Sequence, residues 1–180
     1  MSGSGDVARL HSGDLASLTP LADFERAYAR FLPPIRAKCR RLLGRTHAAE
    51  DVAQEAFLRL WKSGAGEGDP HTVMAWLYRT ATRLAIDALR DRRRSDAHEV
   101  TEEKLPCAVD LGGYVEARAA IASLASSVPE DELAAAVLCR IDGLPQPEAA
   151  VVLGVSERTV RRLLERFDER TTPLRRELSS

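Results

Sequence analysis

Between Ala49 and Arg94 the apolar residues recur twice with the period of an α-helix, and a glycine-rich stretch separates the two runs. In the first run Val52, Ala53, Ala56, Leu60 and Trp61 fall on one side and would face a core. Asp51, Gln54, Glu55 and Leu58 fall towards the other. In the second run Met74, Leu77, Tyr78, Ala81, Leu84, Ala85, Ala88 and Leu89 make one apolar stripe. Thr46 is placed to cap the first helix, and Glu50 and Asp51 bring negative charge to its start, where the helix dipole favours it. The second helix is expected to begin near Met74, after a connector from Ser63 to His71.

The charges on these two helices differ. Arg79, Arg83, Arg90, Arg92, Arg93 and Arg94 outnumber Asp87 and Asp91, which leaves a surplus of four positive charges over residues 79–94. Cations near a helix C-terminus complement the dipole, but a cap does not need four arginines within residues 90–94. That cluster points to nucleic acid. The acidic and amide face of the first helix suits a protein partner, although its charge pattern alone favours a solvated face. The whole chain of 180 residues carries a net charge of −1, so its charge is segregated and the total says little about partners.

Upstream, Phe24, Ala27, Tyr28, Phe31, Ile35, Cys39, Leu42 and Leu43 form another helical stripe, with a kink or break expected at Pro33–Pro34 and a stop at Gly44. Downstream, Val115, Ala119, Leu124, Leu133, Val137, Leu138 and Ile141 continue the helical pattern until Asp142-Gly143. Glu148 to Leu153 then reads as the first helix of a helix-turn-helix. Gly154 permits the tight turn, Val155 fills the core between the helices, and Ser156 caps the second helix. Val160, Leu163, Leu164 and Phe167 form the buried side of that helix. Glu157, Arg158, Thr159, Arg161, Arg162 and Arg166 are left outside, where a recognition helix presents its N-terminal residues to base edges.

These readings predict an all-α chain of two small helical domains. Residues 1–19, rich in Gly and Ser, form a tail; 20–95 form one domain; the acidic residues 96–114 form a flexible linker; and 115–180 form the helix-turn-helix domain. No apolar run approaches membrane-spanning length and the N-terminus is not of the secretory kind, so a cytoplasmic protein without membrane insertion is expected. Cys39, Cys107 and Cys139 form no CxxC pair and lie at no ligand spacing from His11, His47, His71 or His98. No metal, cofactor or disulfide is expected, and Cys39 and Cys139 are expected as buried thiols. With no nucleophile–base pair and no phosphate loop, no catalytic residue is assigned.

The stretch AEDVAQEAFLRLW resembles region 2.2 of bacterial RNA polymerase sigma factors, and AWLYRTATRLAIDALRDRRR is similar to regions 2.3 and 2.4 of their extracytoplasmic-function group within the sigma-70 family. The family's usual asparagine in the second motif is Arg83 here. PQPEAAVVLGVSERTVRRLLERF resembles region 4, with Pro145 and Pro147 departing from the common LSxxEIA start. The resemblance implies a transcription-initiation factor. Asp51, Gln54, Glu55 and Leu58 would contact the clamp of the largest subunit of core RNA polymerase. Arg79, Arg83, Asp87, Arg90 and Arg93 would serve the −10 promoter element. Ser156, Arg158, Thr159, Arg161, Arg162 and Arg166 would serve the −35 element, with the polymerase flap region nearby. An anti-sigma factor is a further partner implied by the family. Two other readings stay open on residues alone: a stand-alone helix-turn-helix regulator, and a degenerate sigma factor acting as a polymerase-binding adaptor.

Overall fold

The computed structural model describes residues 20–64, 69–96, 121 and 123–178, and among them only helices and turns occur. The expected tail lies outside the described residues, as does the expected linker apart from Asp96. Three helices form the N-terminal half: α1 (Pro20–Leu43), α2 (His47–Ser63) and α3 (Pro70–Asp96). Each packs on the other two. Ile35, Cys39, Leu42, Phe57, Leu60, Leu77 and Ile86 are fully buried between them, and burying a large apolar side chain of this kind is worth about 1.5–3 kcal/mol.

The stops follow local chemistry. Gly44 takes φ +78° and its N–H donates to the Arg40 carbonyl at 2.9 Å, which closes α1. Gly64, at φ +66°, closes α2 in the same way. The start of α3 lies earlier than the apolar pattern indicated. Asp69 accepts hydrogen bonds from the N–H groups of His71 (3.1 Å) and Thr72 (3.2 Å), and Pro70 takes the first helical position, which needs no donor.

Three local expectations fail here. Of the kink or break expected at Pro33–Pro34, the break does not occur, and α1 runs through both. Phe31 on one side of the pair and Ile35 on the other are both buried against the neighbouring helices, and this packing outweighs the lost backbone bonds. Thr46 stands at the N-cap of α2, but its hydroxyl donates to the Leu43 carbonyl at 3.2 Å instead of capping the helix. Trp61, expected in the core, is 49% exposed, because Phe57 and Leu60 fill the inner side of that last turn. Glu50, in the first turn of α2, pairs with Arg36 and Arg40 of α1, each at 2.6 Å, and ties the two helices together.

The C-terminal half contains α4 (Glu130–Ala136), which continues as a π-turn over Val137–Ile141, then α5 (Gln146–Leu153) and α6 (Glu157–Leu178). Both α4 and α5 pack on α6, burying Leu133, Leu138, Val152, Val160 and Phe167. Leu163 and Leu164 are half-buried at the edge of this core. Between α5 and α6 the chain turns sharply: Gly154 takes φ +70°, its N–H donates to Ala150 and Val151, and the Val155 N–H donates to the Ala150 carbonyl at 3.1 Å. Val155, expected inside, is 39% exposed, because Val152 and Leu153 already fill the space under the turn. Pro145 stands at the N-cap position of α5 and Pro147 sits in its first turn, and the helix begins two residues before the expected Glu148. Cys139 is half-buried, less than expected, and packs at the edge of the core.

The two halves touch. Helix α3 lies against α4 and α5. Among the described residues no helix is long and apolar enough to cross a membrane.

Candidate nucleic-acid and partner interfaces

Helix α2 turns its inner face, from Ala49 to Leu60, into the N-terminal core, which fixes what lies outside. Asp51, Gln54, Glu55 and Leu58 all point away from that core, as the periodicity indicated. Glu55 pairs with Arg59 one turn on at 2.9 Å, an exposed pair of small energetic consequence. Leu58 is 51% exposed, and Trp61 lies three residues beyond it on the same side of the helix. Gln54, Leu58 and Trp61 therefore form one strip, i, i+4, i+7, flanked by Asp51 and Glu55. Two adjacent large apolar side chains among acids are unusual for a helix that only faces water. The sequence pattern had placed Trp61 on the inner face, and Leu60 beside it is the residue that occupies that face.

The arginines of α3 behave differently. Four of them, Arg79, Arg83, Arg90 and Arg93, leave the helix on the side that meets the C-terminal half. The Arg83 guanidinium bridges Glu130 at 3.1 Å and Asp131 at 3.3 Å. Arg90 donates to the carbonyls of Ala125 at 2.7 Å and Val128 at 3.2 Å, and lies near Glu130 and Asp87. Arg93 donates to the Ser123 carbonyl. Arg79 packs against the α5–α6 turn so closely that a Cβ on Gly154 would lie 2.9 Å from its Nη1. Arg92 and Arg94 are exposed, and Arg94 pairs with Asp91 at 2.7 Å. Of the five α3 residues singled out by sequence, four arginines are thus engaged by the other half of the chain. Asp87 is exposed.

On α6 the third set is open. The Thr159 N–H donates to the Ser156 hydroxyl oxygen at 3.2 Å, so Ser156 caps the helix as its position indicated. Arg158, Arg161 and Arg162 are exposed and line one recess with Thr159, Glu157 and Glu165. Arg161 pairs with Glu157 at 3.3 Å, and Arg166 is exposed one turn further along. A sharply turned helix pair with a capped, basic second helix is the geometry with which proteins enter the DNA major groove.

Sequence reasoning missed one polar cluster. Lys38 is fully buried in α1, although it is a charged residue. Its ammonium contacts Asp142, whose carboxylate also meets Arg41 at 2.9 Å. Lys38 also lies 4.8 Å from the centre of the Tyr78 ring. Burial pulls the Lys38 ammonium below its ordinary value, and the Asp142 charge opposes that shift. The signal was its position three residues from Ile35 and four before Leu42, on the same helical face.

Among the described residues this is an all-helical architecture that ends in a helix-turn-helix, the fold of a DNA-binding protein. The profile for Sigma-70 region 2 matches residues 27–95, and that of a homeodomain-like domain matches residues 127–175. RNA polymerase sigma factor CarQ of Myxococcus xanthus is 30% identical over 159 residues, which cover 86% of this chain and 90% of CarQ. ECF RNA polymerase sigma factor SigE of Mycolicibacterium smegmatis is 36% identical over 133 residues, or 70% of this chain. The chain spans 51% of the length of SigE. The fold is similar to that of CnrH, solved in complex with the cytosolic domain of CnrY, with a TM-score of 0.53 at 23% identity over 84% of this chain and 86% of that one. The chain belongs to the sigma-70 family of RNA polymerase sigma factors, in its extracytoplasmic-function group, which is not an enzyme class.

Proposed function

We propose that this chain binds core RNA polymerase in the cytoplasm, brings it to particular promoters and helps to open them, with no catalysis of its own. The observation that carries the proposal is the strip of Gln54, Leu58 and Trp61 with Asp51 and Glu55, exposed on a helix whose other face is fully committed to the core. A stand-alone helix-turn-helix regulator would leave that strip without a purpose. In this reading residues 20–95 act as the polymerase- and −10-binding domain and 115–180 as the −35-binding domain. Asp51, Gln54, Glu55 and Leu58 meet the polymerase clamp, and Trp61 extends that contact.

Arg79, Arg83, Arg90 and Arg93, with Asp87, serve the −10 element. Ser156, Arg158, Thr159, Arg161, Arg162 and Arg166 serve the −35 element next to the polymerase flap. The sigma factor RpoE of Bartonella quintana, whose fold is similar with a TM-score of 0.50 at 20% identity over 86% of this chain and 97% of that one, was solved with the anti-sigma factor NepR, and this supports an anti-sigma factor as a further partner here. The test is a pull-down of core RNA polymerase by the purified chain beside Glu55→Arg. Binding by the wild type that is lost in the variant supports the assignment. Equal binding by both places the interface elsewhere, and no binding by a folded wild type refutes the proposal.

A further inference from the structure

The outer side of α6 carries two lines of charged residues, each joining positions one turn apart. Arg158, Arg162 and Arg166 make a line that is cationic throughout, and all three are exposed. Glu157, Arg161 and Glu165 make a second line, which alternates in sign and is exposed as well. Both carboxylates line the same recess as Arg158, Arg161 and Arg162. The two lines must meet a DNA duplex differently. Guanidinium groups are drawn to phosphate oxygens wherever the backbone passes. A carboxylate is repelled by phosphate and offers only acceptors, so it needs an amino group to face. In the major groove those amino groups are cytosine N4 and adenine N6. Adenine places its N7 acceptor beside N6, where it opposes a second acceptor, whereas cytosine has no acceptor beside N4. A carboxylate on this face therefore selects cytosine.

We propose that Glu157 is a specificity-determining residue: its carboxylate accepts a hydrogen bond from the N4 amino group of one cytosine in the −35 element, and Arg161 donates to the O6 and N7 atoms of a guanine one base pair along. This deepens the −35 role proposed for α6 and rests on it. Glu157 stands in the first turn of α6, the part of a recognition helix that meets base edges, and Glu165 lies two turns further on. The first turn is fixed by the Ser156 cap, where the Thr159 N–H donates to the hydroxyl oxygen at 3.2 Å, so Glu157 is held in place before DNA arrives. In the free chain Glu157 and Arg161 pair with each other at 3.3 Å, with both side chains about half exposed. An exposed pair of this kind is weak, so both groups can exchange it for base contacts at little cost. The Arg158 line then tracks the phosphates beside the groove and carries no base preference of its own.

The test selects promoter fragments randomised over the −35 element with core RNA polymerase and the full chain, then sequences the bound fragments. The chain is the wild type, Glu157→Gln, Glu157→Ala, Arg161→Ala or Glu165→Gln, each with its helical fold checked by circular dichroism. The wild type should favour cytosine over every other base at one position by about tenfold. Glu157→Gln should move that preference to adenine, because an amide offers the donor and acceptor that adenine N7 and N6 require. Glu157→Ala should abolish the preference there and keep the others. Arg161→Ala should abolish a guanine preference at the neighbouring position, and Glu165→Gln should change none. Glu157→Gln keeps the size of the side chain and carries the test alone if Glu157→Ala fails to fold. A Glu157 that serves only its own helix, through the dipole and Arg161, would lower stability on substitution and move no base preference, and that result overturns the proposal. A wild type that selects other −35 bases but no cytosine overturns it too. A wild type that selects no −35 base at all overturns the −35 role of α6 along with it.

Discussion

Ser156 and Thr159 are joined twice at the start of α6: the Thr159 N–H donates to the Ser156 hydroxyl oxygen at 3.2 Å, and the two hydroxyls lie 2.9 Å apart. The recognition helix is therefore held at its first turn by a side chain and not only by its packing on α5. Ser156→Ala should lower the stability of the C-terminal half by about 1 kcal/mol, and Ser156→Asp should restore it. Urea unfolding followed by circular dichroism measures this, and an unchanged midpoint for Ser156→Ala would mean that the cap is redundant.

The exposed arginines beyond that cap should divide into two kinds. Arg161→Ala should weaken promoter binding by about 1–3 kcal/mol at one −35 position if its side chain reads a base edge. A phosphate contact at Arg166 would instead weaken all sequences alike and lower the salt slope by about 1. The Arg161–Glu157 pair is exposed on both sides and offers little resistance to this exchange. Binding of the mutant holoenzymes to a set of −35 variants at several salt concentrations separates the two. A uniform loss for Arg161→Ala would assign it to the backbone.

In the N-terminal half Phe57 is 1% exposed, and its ring meets Tyr28 edge-on with centroids 5.0 Å apart. Phe57→Ala should destabilise this half by about 3–5 kcal/mol, through lost burial and the cavity left behind. Leu58→Ala, one residue along, should change stability very little. Thermal melting of the two variants side by side is the measurement, and equal effects would mean that the face of α2 has been misassigned.

Cys39 is buried in α1, and burial pushes its thiol pKa up to about 12 from the ordinary 9.0. The folded chain therefore holds this proton where the unfolded chain loses it. The stability that Cys39 contributes is complete below pH 9.0 and is lost as pH rises through that value towards about 12. Alkylation at pH 8–9 should spare Cys39 in the folded chain and modify it after unfolding, with peptide mass mapping to tell it from Cys107 and Cys139. Rapid modification of Cys39 in the folded chain would contradict its burial.

The sequence was most informative where a single local rule decides the structure. Helical periodicity placed α1, α2, α3 and α6, while Gly44 and Gly154 marked the ends of α1 and α5 and Ser156 the start of α6, because a left-handed backbone and an N-cap each demand particular residues. The outer faces of α2 and α6 followed from the same periodicity. What was not legible depended on distant neighbours. Nothing near Pro33 says that packing on both sides will carry α1 through it. Trp61 is placed outside only because Phe57 and Leu60 fill the inner side of that turn. The engagement of the α3 arginines and the pairing of Lys38 with Asp142 join residues far apart in the chain, from 30 positions for Arg93 and Ser123 to 104 for Lys38 and Asp142. No period or cap reports such a contact.

The central claim is that the exposed strip on α2 is a polymerase-binding face. The most direct test is the affinity of core RNA polymerase for the wild-type chain and for Trp61→Ala, measured at equilibrium with both folds verified by circular dichroism and melting. A desolvated aromatic anchor predicts a loss of about 2 kcal/mol or more with no change in melting temperature. Unchanged affinity in Trp61→Ala, or no binding by the folded wild type, would contradict the account.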